Sequence, residues 1–174
     1  MYAPGFVEPA TARRWFASLR EGVDWQSERR RMYDRDVDVP RLVARYALGD
    51  EQLPAALREA VDRAGRDTGA PFNSVGLNLY RDGHDSVAPH NDHLYEISAG
   101  YPIALISLGA TRLMTIRSKR GKGKRRVLDL DLEDGSLILM SYETQLHYDH
   151  GVPKMRTTVG PRISIALRVR PAPK

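Results

Sequence analysis

With 174 residues and a formal net charge of +5, the chain is long enough for one domain with a sizeable core, and its basic balance favours a polyanionic partner. It contains no cysteine, which excludes disulfides and thiolate metal sites, leaves His and carboxylate to hold any metal, and fits a reducing, cytoplasmic setting. No apolar run is long enough to cross a membrane, and the opening MYAPGFVEPA lacks the basic and apolar regions of a signal peptide.

The first periodic segment predicts a helix over 9–20, with Ala12, Trp15, Phe16 and Leu19 on one face and Gly22 ending it. Val23-Asp24-Trp25 reads as a short strand. Residues 26–39 read as polar and irregular; Arg29, Arg30 and Arg31 are either a solvated face or phosphate contacts, and Met32 and Tyr33 suit a lid. Pro40-Arg41 and LVARYAL give a further short extended segment. A second helix is expected over 54–67, with proline in its first turn and Leu57, Ala60, Val61 and Ala64 on one face.

From Phe72 onward the pattern changes to strands. They are expected at 74–80, 103–108, 112–117, 126–132, 136–141 and 161–170, with a basic hairpin loop, SKRGKGKRR, over 118–126. Two helices followed by closely spaced strands predict an α+β fold with a β-sandwich or jelly-roll core. No repeat or linker splits residues 1–174. Residues 1–70 are expected to give the helices and a substrate lid, and 71–174 the catalytic core.

Two residues apart in an extended segment, His90 and Asp92 point the same way and can share one ion. A distal histidine would complete a two-His, one-carboxylate triad, the set that suits non-haem Fe(II) oxygenases. His147 and His150 are both candidates; their odd spacing puts only one of them on the metal side of an extended segment. In the last strand Arg162, Ser164 and Arg168 share a row opposite Ile163, Ile165, Leu167 and Val169. The two arginines stand ~20 Å apart along the strand, within reach of the two ends of a short dicarboxylate if their side chains lean together. That row therefore either faces water or has an anion. Asn78 and Tyr80 share a face and can donate to the same carboxylates.

The stretches FNSVGLNLYRDG, HND, YPIALISLGATR, HGVP and PRISIALR, in that order, resemble the AlkB family of Fe(II)- and 2-oxoglutarate-dependent dioxygenases. The family's N-x-Y falls on Asn78 and Tyr80, its H-x-D on His90 and Asp92, its distal His on His150, and its R-x-N-x-x-x-R on Arg162, Ser164 and Arg168. The resemblance implies a double-stranded β-helix (jelly-roll) core with the two N-terminal helices packed on it. It implies Fe(II) on His90, Asp92 and His150. It also implies 2-oxoglutarate held near the iron by Arg168 and Asn78 and at its far carboxylate by Arg162 and Tyr80, with O2 as oxidant. The implied reaction demethylates alkylated bases in DNA or RNA, releasing formaldehyde, succinate and CO2, with no membrane or protein partner. Candidate substrate contacts are Tyr33, Arg41, His93, Leu94, Lys119, Arg120, Lys122, Lys124, Lys154 and Arg156.

The chain departs from the family in three places. Ser164 stands where Asn is usual. Leu94 stands where many members have an acid that reads the base. The segment after Pro40-Arg41 lacks an aromatic stretch, for which Tyr33, Tyr46 or Tyr95 can substitute. These differences leave open the same oxygenase chemistry on another substrate: a modified tRNA nucleoside, a protein side chain or a small molecule. A nucleic-acid-binding module without catalysis is a third reading, disfavoured by the intact triad and arginine pair.

Overall fold

Residues 1–32, 34–119 and 125–172 are described by a computed structural model. In chain order the elements are β1 (Tyr2–Ala3), α1 (Pro9–Gly22), β2 (Gln26–Met32), β3 (Arg35–Ala47), α2 (Ala55–Thr68), β4 (Ser74–Tyr80) and β5 (Val87–His90). A 3-10 turn, Leu94–Glu96, follows, and then β6 (Ile103–Gly109), β7 (Arg112–Ser118), β8 (Val127–Leu132), β9 (Leu137–Met140), α3 (Tyr142–His147), β10 (Tyr148–Val152) and β11 (Arg162–Arg168). No helix among the described residues is long and apolar enough to cross a membrane.

The strands pair antiparallel in two sheets. One holds seven strands in the order β1-β9-β6-β11-β4-β3-β2, the other four in the order β5-β10-β7-β8. Period-two alternation divides the core in two. On one face of the large sheet Val75, Leu77 and Leu79, Ala104, Ile106 and Leu108, and Ile163, Ile165 and Leu167 meet Trp15 and Leu19 of α1 and Leu57, Ala60 and Ala64 of α2. On the other face Tyr80, Ile103, Leu105, Ile138 and Met140 meet Met114, Leu132 and Val152 of the small sheet. The result is a jelly-roll core of two packed sheets with a helical layer on one side.

Strand β11 is central. It pairs with β4 along its whole length, Arg162 opposite Tyr80 and Ser164 opposite Asn78, and with β6 on its other edge, Ser164 opposite Ser107. Its aliphatic row enters the helix-side core, so its polar row points between the sheets rather than to water.

The segment 26–47 differs from expectation. It is one long hairpin, β2 paired with β3, and it joins the large sheet through β3 and β4, so the sheet runs across the expected boundary at residue 70. Its cross-strand pairs are ionic: Arg29 Nε donates to Asp38 Oδ1 at 2.8 Å and Arg45 lies 2.6 Å from Glu28. Opposite charges facing each other stabilise a strand pair without an apolar alternation to announce it. Helix α3 was also not expected; Ser141 caps it, accepting from the Thr144 N–H at 3.3 Å.

Gly151 lets the small sheet close beside His150. A Cβ there would sit 2.9 Å from the Val87 carbonyl oxygen and 3.0 Å from the Pro89 nitrogen, both backbone atoms of β5. Gly151→Ala should force β5 and β10 apart at a cost of about 1–3 kcal/mol, typical of overpacking. Thermal melting would read this as a fall of several degrees in the midpoint; an unchanged midpoint would show that the close approach relaxes freely.

Candidate metal centre and anion pocket

His90 ends β5, Asp92 follows it by two residues, and His150 sits in β10 directly opposite His90 in the strand register. The pairing brings a ligand atom of each to within 4.8 Å of the other two. The imidazoles lie 4.5 Å apart, tilted by 49°. His90 Nδ1 is 3.0 Å from the Ala88 carbonyl oxygen, so it carries the hydrogen and leaves Nε2 with its lone pair for a metal. His150 is buried. Desolvation, aided by the neighbouring His90, lowers its pKa to about 4, so it is neutral and able to ligate at pH 7. His147 ends α3, outside this cluster.

Asp92 is held from two sides. Its backbone N–H donates to Gln145 Oε1 at 3.0 Å, and its Oδ2 accepts from Arg168 Nε at 2.5 Å. Burial works to raise its carboxyl. The charge and hydrogen bond of Arg168, with smaller contributions from His150 and His90, outweigh that and hold the pKa below the usual carboxylate range. Gln145 is fully buried on α3 and was missed from sequence, as was the helix that carries it.

Behind the triad lies a cavity of about 60 Å³ lined by Asn78, Tyr80, His150, Arg162, Ser164 and Arg168, among others. Arg162 is 0% exposed. Its Nε donates to Ser107 Oγ at 2.7 Å, and its guanidinium stands 5.1 Å from the Tyr80 ring centroid. Its Nη1 and Nη2 have no hydrogen-bond partner. Desolvation pushes its pKa down. A buried cation with unpaired donors costs several kcal/mol, and an anion at those donors would offset that cost.

Arg112, also missed, is wholly buried beside Tyr80, its guanidinium 5.4 Å from the ring centroid. It donates to the carbonyls of Asp82, Asp85 and Pro153 at 2.8–2.9 Å, tying the turn before β5 to the exit of β10. It shares parity with the inward Met114 on β7, and that parity was the available signal.

In front of the triad opens a groove of about 860 Å³ between β3, the ends of β4 and β11, and residues 86–97. Here several substrate candidates move. Arg41 was expected on nucleic acid, but it turns to the site and donates from Nε to Asn78 Oδ1 at 2.7 Å. Leu94 was expected against the substrate, but it packs into the cluster between the sheets, drawn in by apolar burial. Glu96 lines the groove instead, 3.3 Å from Arg170. Lys119 is held against α3, its Nζ donating to the Gln145 carbonyl at 2.7 Å. His93 is exposed on the groove wall, and Lys154 and Arg156 are exposed beyond β10. Tyr33, Arg120, Lys122 and Lys124 lie outside the described residues.

The model of the 2OG-Fe(II) oxygenase superfamily matches residues 1–168. Among curated proteins, the DNA oxidative demethylase ALKBH2 of Bos taurus is 36% identical over 117 residues, covering 64% of this chain and 42% of its own length. ALKBH2 of Homo sapiens is 39% identical over 106 residues, covering 58% and 41%. The alpha-ketoglutarate-dependent dioxygenase alkB homolog 3 of Homo sapiens is 31% identical over 189 aligned residues, covering 98% and 66%. The chain thus spans less than half the length of these two ALKBH2 relatives. A crystal structure of the non-heme alpha ketoglutarate dependent epimerase SnoN superposes with a TM-score of 0.64 at 15% identity over 98% of this chain and 80% of that one, a likeness of fold.

Asp92→Ala should weaken Mn(II) binding by more than the roughly 10–100-fold that loss of an outer-shell partner brings. Titration followed by electron paramagnetic resonance checks this. Affinity equal to the parent's would remove Asp92 from the metal centre.

Proposed function

This chain belongs to the 2OG-Fe(II) oxygenase superfamily and within it is AlkB-like, and from that premise we propose that it is an Fe(II)- and 2-oxoglutarate-dependent dioxygenase that demethylates alkylated nucleobases in DNA or RNA. The observation that carries the reading is Arg162, a buried guanidinium with two unpaired nitrogens, facing the same cavity as His150. Metal binding alone gives no reason for such a cation behind the triad. A cosubstrate with a carboxylate at each end does.

Two imidazoles and one carboxylate are a donor set that suits Fe(II) and leaves positions open. Iron bound there, with 2-oxoglutarate and O2, supplies the oxidation that turns an N-methyl group into N-hydroxymethyl, which leaves as formaldehyde beside succinate and CO2. The chain's own residues bind and orient. Arg162, with Tyr80 beside it, takes the far carboxylate of 2-oxoglutarate; Ser164 lines the cavity between the two ends. Arg168 and Asn78 take the near end, Asn78 steadied by Arg41. Asp92 would help hold the metal through its carboxylate, whose Oδ2 accepts from Arg168. The groove in front admits a base flipped from its stack.

The net positive charge and the exposed Lys154 and Arg156 support contact with a phosphate backbone. The names of the relatives support alkylated DNA as the substrate class. The lack of cysteine supports a cytoplasmic setting.

Incubation with Fe(II), 2-oxoglutarate, ascorbate and a 1-methyladenine or 3-methylcytosine oligonucleotide should remove the methyl mass and release formaldehyde. Succinate formed with the methyl group intact would keep the oxygenase and reject the substrate. Arg162→Met should raise the dissociation constant for 2-oxoglutarate by roughly 30-fold or more, the loss expected when one partner of a buried charge pair is truncated. Calorimetric titration with Mn(II) present measures it, and an unchanged constant would move the far carboxylate elsewhere.

A further inference from the structure

We propose that His93 and Tyr95 form a stacking platform on the groove rim that takes an unpaired nucleobase neighbouring the modified one. The inference rests on the nucleic-acid reading above and adds the residues that hold the strand beside its target.

The two rings stack on each other, centroids 5.3 Å apart and planes within 15°. Both are exposed, and Tyr95, at 76%, is the most exposed large apolar side chain among the described residues. An aromatic ring normally contributes through burial, so a pair left in water beside a groove has a flat face to offer.

The platform is held rigidly. Leu94, between the two rings in sequence, points the other way into the cluster between the sheets, and Ile97 is buried with it. The 3-10 turn closes through Glu96 N–H to the His93 carbonyl at 2.9 Å. One end of the loop is fixed by Asp92 N–H on Gln145, the other by Ser98 N–H on the Val169 carbonyl at 2.8 Å. The inward Leu94 and the outward rings are therefore one arrangement: the leucine anchors what the aromatics present.

Position selects the occupant. His93 follows the triad residue Asp92 directly and lines the groove. A base whose methyl group reaches the metal occupies the groove, so the next base along the strand meets the rim. Every base has a π face, and stacking on an aromatic side chain requires no particular sequence. The groove wall carries four arginines, Arg41, Arg45, Arg168 and Arg170, against three acids, Asp38, Asp92 and Glu96, and that positive excess suits a polyanionic strand better than an apolar peptide.

The test uses the full chain loaded with Mn(II) and single-stranded DNA carrying 1-methyladenine flanked on one side or the other by 2-aminopurine. The unsubstituted protein should bind and quench the fluorescence of one flank. Tyr95→Ala should abolish that quench and weaken binding about tenfold, within the range for loss of one base–aromatic stack. Tyr95→Trp should restore both. The side chain is exposed, so thermal midpoints should agree across the three proteins. Binding and quenching by Tyr95→Ala equal to the unsubstituted protein's would overturn the platform alone. No binding of the oligonucleotide by the unsubstituted protein would overturn both the platform and the nucleic-acid reading.

Discussion

A guanidinium buried between two sheets with no acidic side chain beside it is the constraint around which this molecule is arranged. Left to itself, Arg162 would turn β11 over and reach water. It cannot, because the strand is hydrogen-bonded on both edges, to β4 and β6, and the opposite row of Ile163, Ile165 and Leu167 is sealed against the helices. A slip of one residue would bring Arg162 and Arg168 into the apolar core and the aliphatic row into the polar cavity, so the register is strongly specified. The helix-side core thereby offsets the cost of keeping a cation between the sheets. Stability generated on one face of the sheet maintains an energetically poor arrangement on the other, which is the usual relation between scaffold and site.

Arg112 adds a second buried cation to the same region, and its solution differs. Its two terminal nitrogens donate to three backbone carbonyls from two segments, whereas both terminal nitrogens of Arg162 are unpaired. Both stand near the Tyr80 ring, whose π face attracts cations. Arg112 joins the turn leading to His90 with the chain leaving His150. Arg162 faces the cavity. One cation organises the backbone that positions the ligands, and the other is available to an anion; position along the strands, not residue type, separates the two roles.

How much of this the sequence made legible follows from which interactions leave a period. The alternation of β11 and β4 was readable, because an aliphatic row and a polar row repeat every two residues, and it brought Asn78, Tyr80, Arg162, Ser164 and Arg168 to one cavity. His90 and Asp92 were readable from spacing; the choice of His150 over His147 was not, since it depends on α3 ending at His147 and on the β5–β10 register. The hairpin 26–47 stayed hidden because ion pairs stabilise it instead of an apolar pattern. Helix α3 stayed hidden because its six residues give fewer than two turns of period, although Ser141 was a usable cap signal. Leu94 was read as a changed substrate contact because resemblance aligns positions, not directions: a 3-10 turn carries it inward and leaves His93, Tyr95 and Glu96 outside.

The two arginines of β11 also meet different electrostatic circumstances, and the difference joins the metal end of the site to the anion end. Arg162 has no acid beside it. Arg168 has Asp92, whose carboxylate belongs at once to the triad and to the guanidinium. A divalent cation held by the triad would draw charge from that carboxylate, weaken its hold on Arg168 and add its own attraction for an anion in the cavity. The near carboxylate of a dicarboxylate would therefore meet a more strongly positive site once the triad is occupied, while the far one would meet Arg162 in either state. Asp92 is the point of contact between the two halves, and its own position is fixed from a third direction, by Gln145 on α3.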